Sequence, residues 1–272
     1  MKPVDLHHGA ATDVGHVRTV NEDSFLVAPP VFVVADGMGG HAGGDVASRI
    51  VVEEFARLVE EGYDPGRGAE QVADTIARSQ ARIVEYGDGQ RAEHPRWHAG
   101  TTAVVAVLVD DGGTTKWLLA NLGDSRIYRF TDGRLDQVSV DHSVVQELVD
   151  AGTITAEEAS VHPERHVITR ALGSPEGVRP DFFLLPLPAV ERLLLCSDGI
   201  SGMITDADIA AILDSVPDPR DAADALVRAA LDAGGRDNAT AVVIDVVGLV
   251  HDDSYDSERQ LASLEDKLGA RP

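Results

Sequence analysis

The order of the predicted secondary-structure elements restricts the fold more than any other feature of this chain. Strands come in runs joined by tight turns, and helices come in adjacent pairs, so strands and helices do not alternate one by one. Strands joined by tight turns pair antiparallel, because parallel neighbours need a long crossover connection. The order therefore predicts an α+β fold in which helices pack in layers with antiparallel sheets.

The spacing of apolar residues sets the bounds of these elements. Two turn sequences, Asp111-Gly112-Gly113 and Asp132-Gly133, predict hairpin connections. The predicted strands cover residues 11–14, 24–27, 31–35, 101–109, 116–122, 126–130, 181–187, 192–196 and 239–247. The predicted helices cover residues 45–61, 69–86, 144–150, 206–214 and 221–233, with a candidate terminal helix at 261–268.

Length and composition define the broad class of protein. With 272 residues, 43% of them hydrophobic, the chain can bury a sizeable core in one large domain or two small ones. No apolar run approaches the ~18 residues of a membrane span, and the N-terminus lacks the apolar stretch of a signal peptide. The single cysteine, Cys196, excludes an intrachain disulfide. We expect a cytoplasmic protein with no membrane partner.

The formal net charge of −23 narrows the partners further. Nucleic acids and anionic membranes are polyanions, so this charge disfavours both as partners. The charge is compatible with cation binding, although most of it belongs to a solvated surface.

Four aspartates lie beside turn residues at the ends of apolar runs. Asp36, Asp124 and Asp198 follow predicted buried strands, and Asp237 precedes one. Carboxylates at strand ends can meet on one rim of a sheet, where they repel each other unless cations neutralise them. Hard divalent ions such as Mg2+ take oxygen ligands of this kind. The pattern therefore suggests a carboxylate metal centre.

The same residues have a simpler interpretation. Asp-Gly is a common turn sequence, so a single Asp-Gly such as Asp132-Gly133 is explained by turn geometry alone. Arg18, four residues before the adjacent carboxylates Glu22 and Asp23, suits a phosphoryl oxygen but also a surface salt bridge. Spacing by itself does not decide between these interpretations.

Six short motifs, taken in order, resemble those of one family. They are Arg18-x-x-Asn21-Glu22-Asp23, Val34-Ala35-Asp36-Gly37-Met38-Gly39-Gly40, Gly100-Thr101-Thr102, Asn121-Leu122-Gly123-Asp124-Ser125-Arg126, Ser197-Asp198-Gly199 and Asp237-Asn238-Ala239-Thr240. Together they resemble the motif set of the PPM/PP2C family, which are metal-dependent serine/threonine protein phosphatases. The resemblance covers about residues 7–247 and is closest to the bacterial branch that opposes Hanks-type kinases.

This resemblance implies a fold and a set of partners. The fold would be a PP2C-like sandwich of two antiparallel β-sheets flanked by helix pairs, in four αββα layers with the metal cleft at one edge. Residues 1–247 would form the catalytic domain and 248–272 an acidic tail. We expect a monomer that acts on phosphorylated proteins, with serine/threonine kinases among the candidate partners.

The resemblance also assigns ligands for Mn2+ or Mg2+. Asp36 would bridge two tightly bound ions, and the carbonyl oxygen of Gly37 would contribute to the same centre. Asp198 and Asp237 would complete the bridging shell. Asp124, together with Asp198, would hold a weaker third ion.

Two further residues would act on water and on phosphate. Glu22 would contact the ions through water, and Arg18 would grip the substrate phosphate while hydroxide attacks phosphorus in line. Many eukaryotic members carry a histidine where Met38 stands, and methionine cannot protonate a leaving group. A water or another group in the cleft would have to serve instead. Structural roles are expected for three histidines: His41, His142 and His162.

Three functions remain open at this point. The first is a broad phosphoserine/phosphothreonine phosphatase that reverses Hanks-type kinase signalling. The second is a dedicated phosphatase of an anti-anti-sigma-type regulator, and the third is a non-catalytic pseudophosphatase that binds phosphoproteins. A cysteine-phosphatase mechanism fails, because the arginine needed six residues after Cys196 is replaced by Gly202. Residues 153–163 are expected to form a flap that influences the choice of substrate.

Overall fold

Two antiparallel β-sheets lie at the centre of this computed structural model, which describes residues 4–39, 43–91, 98–174, 177–187 and 192–249. The strands are β1 (Val4–Asp13), β2 (Asp23–Ala28), β3 (Val31–Met38), β4 (Gly100–Thr101), β5 (Ala103–Asp111), β6 (Thr114–Leu122), β7 (Arg126–Thr131), β8 (Arg134–Gln137), β9 (Asp181–Pro186), β10 (Arg192–Cys196) and β11 (Ala239–Leu249). The helices are α1 (Gly44–Gly62), α2 (Gly68–Arg91), α3 (Val144–Asp150), α4 (Ala156–Ser160), α5 (Asp198–Ser201), α6 (Asp206–Ser215) and α7 (Pro219–Asp232), with a 3-10 turn at Pro65–Arg67.

Each sheet is built from antiparallel neighbours. One sheet has the strand order β1-β11-β10-β7-β8, and the other has β2-β3-β5-β6-β9, with β4 paired to the end of β3. The two predicted hairpin turns are confirmed. Gly112 and Gly113 join β5 to β6 with φ of 61° and 86°, and Asp132 and Gly133 join β7 to β8 with φ of 53° and 74°. Two consecutive positive φ values are typical of the type I′ turns that match the twist of a hairpin.

Three apolar cores fix the order of the layers. The core between the sheets includes Phe32 of β3, Trp117 of β6 and Val242 of β11, all fully buried. A second core packs α1 and α2 on the outer face of the β2–β9 sheet, and a third packs α5, α6 and α7 on the outer face of the other sheet. The four-layer αββα sandwich is therefore confirmed.

Several predicted elements need correction. The first strand begins at Val4 and not at residue 11, because it pairs with β11 along its whole length although His7, His8 and Gly9 interrupt its apolar pattern. The predicted strand at 101–109 is divided at Thr102 into β4 and β5. Three short elements, β8, α4 and α5, escaped prediction because each has only four or five residues and none contains an apolar run. The candidate helix at 261–268 lies outside the described residues.

Strand β11 runs to Leu249, two residues past the predicted end of the core. Among the described residues, no helix combines the length and the apolar character that a membrane span requires.

Candidate metal centre

All four aspartates predicted from the sequence meet at one end of the sandwich. Asp36 lies near the end of β3, Asp124 directly follows the β6–Gly123 turn, and Asp198 opens α5 after β10. Asp237 precedes β11. Charge repulsion from each of the other three acts on the Asp36 carboxyl, so these side chains form one electrostatic cluster.

Burial and mutual repulsion make it energetically costly for these carboxylates to be ionised. Burial raises the pKa of Asp36 well above its ordinary value, and nearby carboxylates raise it further. Burial, with repulsion from Asp198 second, raises the pKa of Asp124 to about 7. The pKa of Asp198 is raised by burial and then by repulsion from Asp237, while a hydrogen bond with Asp36 opposes the increase. A bound cation would relieve these costs.

A fifth carboxylate, Asp23, belongs to the cluster and was not predicted as a site residue. It lies opposite Asp36 in the β2–β3 pair and is 9% exposed. Burial is the largest of the effects that raise its pKa to about 7. Ser197 Oγ donates to Asp23 Oδ2 at 2.7 Å, and Asp23 Oδ1 is buried with no partner among the described residues. The Pro29-Pro30 connection pairs Ala28 with Val31. Counting one residue at a time along both strands from this pair leads to Asp23 opposite Asp36.

The glycines after Asp36 and Asp198 serve close packing and not turn geometry. Neither Gly37 nor Gly199 has a positive φ, whereas Gly133 in the true hairpin turn does. A Cβ on Gly37 would collide with the carbonyl oxygen of Gly44, and a Cβ on Gly199 would collide with that of Asn238. The turn interpretation therefore holds for Asp132-Gly133 and fails for these two pairs.

Two threonines from the Gly100-Thr101-Thr102 motif hold the backbone of Asp36. Thr101 Oγ1 donates to the Asp36 carbonyl at 2.9 Å, and the Asp36 amide donates to Thr102 Oγ1 at 3.0 Å. Thr102 Oγ1 also shares a 2.7 Å hydrogen bond with Ser125 Oγ, next to Asp124. One buried network thus ties two of the carboxylate-bearing segments together.

His142 supports the loop that carries Asp124. Its Nδ1 accepts from the Gly123 amide at 3.1 Å, and its own amide donates to the Gly123 carbonyl at 2.9 Å. In the segment predicted as a flap, His162 Nδ1 accepts from the Glu164 amide at 3.2 Å. Both histidines therefore make structural contacts, as predicted, while Gly40 and His41 lie outside the described residues.

Asn238 fixes the loop that carries Arg18 and Glu22. Its Oδ1 accepts from the Glu22 amide at 2.8 Å, and its Nδ2 donates to the carbonyls of Val14 at 2.9 Å and Val20 at 3.0 Å. Asn238 directly follows Asp237 in sequence, so its hydrogen bonds hold this loop next to a carboxylate of the cluster.

Arg18 lies on the rim of the cluster. Its Nη2 donates to Asp237 Oδ2 at 2.7 Å, with the Arg18 side chain 50% exposed. This hydrogen bond is the largest of the effects that raise the pKa of Arg18. Glu22 lies close by, and burial raises its pKa. The predicted salt bridge of Arg18 is present, but its partner is a residue of the cluster.

The donor chemistry of the cluster fits a hard divalent cation. Its side chains offer carboxylate oxygens, and the buried, unpartnered Asp23 Oδ1 is an acceptor still available to a ligand. In the described part of the chain, no three Asp, Glu, His or Cys side chains converge closely enough to enclose an ion by themselves. Bound ions would therefore need water, a backbone oxygen such as that of Gly37, or small side-chain rotations to complete their coordination.

A cavity of about 480 Å3 opens beside Asp198 and Asp237. The remaining lining residues are Ser160, Val161, Arg165, His166, Gly199, Gly202, Met203 and Arg236. Two of the lining residues, Ser160 and Val161, belong to the segment 153–163 that was predicted as a flap, and the lining continues to His166.

Comparisons with known proteins agree with this architecture. The profile described as protein phosphatase 2C matches residues 15–233. The serine/threonine protein phosphatase PstP of Mycobacterium tuberculosis is 38% identical over 245 residues, which cover 89% of this chain and 45% of PstP. The serine/threonine phosphatase stp of Listeria innocua is 34% identical over 252 residues, which cover 88% of this chain and 96% of stp.

A solved structure extends the comparison to the metal centre. The catalytic domain of PstP in complex with two manganese ions has a TM-score of 0.76 and 36% sequence identity, covering 90% of this chain and 100% of that domain. This chain spans about half the length of the full PstP proteins that it matches. From the matched profile, these relatives and the shared fold, the chain belongs to the protein phosphatase 2C family.

Proposed function

We propose that this protein is a Mn2+- or Mg2+-dependent phosphatase that hydrolyses phosphoserine and phosphothreonine in proteins. The observation that carries the proposal is the cluster of mutually repelling carboxylates with Arg18 on its rim. Cations are needed to hold such a cluster charged, and a guanidinium beside it suits a phosphate group. Relatives named as serine/threonine phosphatases support the same activity.

The proposal assigns the ligands as follows. Asp36, Asp198 and Asp237, with the carbonyl oxygen of Gly37, would hold two ions, and Glu22 would act through water. The bound ions would supply positive charge that activates water and stabilises charge on the phosphate. Asp124 and Asp198 would hold a weaker third ion. In that case, Asp124→Ala should lower turnover while calorimetric titration still shows the tight binding.

The proposal assigns the binding of the substrate phosphate to Arg18. Its contact with Asp237 occupies Nη2 and leaves other N–H groups of the fork available on a half-exposed side chain. Cys196 is unsuited to covalent catalysis, because it is fully buried and burial raises the pKa of its thiol to about 12. Direct attack by water is therefore the mechanism that the residues favour.

Exposed apolar side chains beside the cluster favour a protein substrate. Val17 and Val20, which flank Arg18, are 65% and 52% exposed, and Val161 of the flap segment is 78% exposed. A phosphorylated peptide could cover these side chains, whereas a small phosphate ester could not. Kinase partners, the monomeric state and the cytoplasmic location remain predictions.

The alternatives have less support. All of the aspartates assigned to the metals are present, so the usual signature of a pseudophosphatase is missing. None of the relatives compared above is named as a phosphatase of an anti-anti-sigma regulator.

Two matched Asp-Gly pairs test the assignment. Asp36→Asn should lower phosphate release from a phosphothreonine peptide by about a hundredfold or more, as expected for losing a group that stabilises charge. Asp132→Asn changes the same residue type in a plain hairpin turn and should leave turnover unchanged. Wild-type turnover in Asp36→Asn at saturating Mn2+ would refute the assignment.

A further inference from the structure

Unpaired arginines are uncommon in the described part of this acidic protein. Acidic residues outnumber lysine and arginine by 46 to 23, and most arginines with described side chains contact a carboxylate. Within that described set, four arginines have no contact with an acidic side chain: Arg165, Arg179, Arg228 and Arg236. An arginine without a carboxylate partner keeps its guanidinium fork available to an external anion.

Two of these four arginines line the same cavity. Arg165 follows the flap helix α4, and Arg236 lies in the connection between α7 and β11. Both arginines are exposed, and within the described part of the chain the side chain of Arg165 makes one hydrogen bond, from Nη1 to the carbonyl oxygen of His162 at 3.3 Å. The cavity therefore receives two available guanidinium groups from two separate segments.

The cavity adjoins the proposed phosphate position. Arg236 precedes Asp237, whose carboxylate contacts Arg18 at 2.7 Å. Adjacent Cα atoms of the protein are ~3.8 Å apart, so the backbones of Arg236 and Asp237 lie close together. An extended substrate peptide advances ~3.3–3.6 Å per residue. A group bound in the cavity would thus belong to a residue within about three positions of the phosphorylated one.

We propose that Arg165 and Arg236 form an anion subsite that selects substrates with a second negative group near the scissile phosphate. The group is a carboxylate or a second phosphate within about three residues of the phosphorylated residue. This inference rests on the proposed phosphatase function. Asp198 and Asp237 lie at the same cavity and would repel such a group unless the metal ions and Arg18 neutralise them, so selection should require the metal-loaded enzyme.

Matched phosphothreonine peptides test the subsite with the full chain and saturating Mn2+. One peptide is neutral around phosphothreonine, others carry glutamate at one of the three positions on either side, and another series carries a second phosphothreonine there. For wild type, kcat/KM for the best acidic peptide should exceed that for the neutral peptide by about fivefold to tenfold, because exposed charge pairs are screened. The glutamate and second-phosphate series separate the two sources of negative charge.

Substitutions assign the preference to these two arginines. Arg165→Gln and Arg236→Gln should each lower the acidic-to-neutral ratio, and the double variant should bring it to about one. The ratio remains interpretable if a variant is partly unfolded, because both peptides lose rate equally. Arg228→Gln is the matched control, since Arg228 also lacks a carboxylate partner but lies on α7 away from the cavity.

The outcomes separate this inference from the proposed function. Equal kcat/KM for acidic and neutral peptides in an active wild-type enzyme would overturn the subsite and leave the phosphatase function standing. A preference retained by the double variant would also overturn it. If the wild type released phosphate from neither these peptides nor p-nitrophenyl phosphate, the proposed function and the subsite would fall together.

Discussion

Arg18 forms a structural ion pair and also lies beside the proposed phosphate site. It forms an ion pair with Asp237, and it stands on the rim of a cluster where a phosphate would bind. A half-exposed ion pair contributes little to folding, on the order of 1 kcal/mol or less. A change at Arg18 should therefore affect the substrate more than the fold.

Arg18→Ala should raise the Michaelis constant for a phosphothreonine peptide by about tenfold, near the lower limit for a charge-assisted hydrogen bond because the site is half-exposed. Inhibition by inorganic phosphate should weaken in parallel, and Arg18→Lys should recover only part because lysine lacks the planar fork. Arg134→Ala, which removes a surface ion pair with Asp136, is the control. Unchanged constants for both substrate and phosphate would return Arg18 to a purely structural role.

The site residues could be predicted from the sequence to different extents. The four aspartates beside strand ends were predicted to meet, and they do meet. Asp23 was not predicted, because its place opposite Asp36 depends on the register of the β2–β3 pair, which follows only from counting along both strands from the Pro29-Pro30 connection. The need for glycine at position 37 could not be predicted either, because the carbonyl oxygen that excludes a side chain there belongs to Gly44, at the start of α1.

At the scale of elements, segments with a clear apolar pattern were predictable at any length, and short segments without one were not. The helix at 144–150 and the strand at 192–196 have the predicted bounds, whereas β8 depends on pairing with β7 after the hairpin turn. Helix α4 begins with a capping box at Thr155 and Glu158, but its short polar sequence has no apolar period that predicts a helix. The support for the Arg18 loop also escaped prediction, because it comes from Asn238, more than 200 residues away in sequence.

Asn238→Ala tests how the loop from Val14 to Glu22 depends on this one amide. The change leaves the Glu22 amide and two carbonyls without their partners, so we expect a loss of about 2–4 kcal/mol in the free energy of unfolding. Urea denaturation measures this loss, and the Michaelis constant should rise because Arg18 is no longer held in place. Gln146→Ala removes a surface amide that contacts Asp150 and should change stability by less than about 0.5 kcal/mol. A similar small change in Asn238→Ala would contradict the account.

At the scale of the whole molecule, the carboxylate cluster sets a pH dependence for the metal-free protein. The folded-state pKa values of Asp23 and Asp124 are raised from about 3.8 to about 7, so the folded protein holds these protons more tightly than the unfolded chain does. Their contribution to stability is complete below about pH 4 and is lost as pH rises through about 7.

In EDTA, the urea midpoint should therefore fall between pH 5 and pH 8, and Asp23→Asn should show a flatter decline than wild type. Added Mn2+ should raise the midpoint more at pH 8, because deprotonated carboxylates bind the cation. If the urea midpoint fell equally with pH in wild type and in Asp23→Asn, the cluster would not control this pH dependence.

The most direct test of the central claim is phosphate release from a phosphothreonine peptide, measured with metal-stripped protein and with added Mn2+ or Mg2+. The account predicts turnover that is absent in EDTA, appears on addition of either cation, and disappears again when EDTA is restored. Full activity of the metal-stripped protein in EDTA would contradict the account, because the carboxylate cluster would then have no part in hydrolysis.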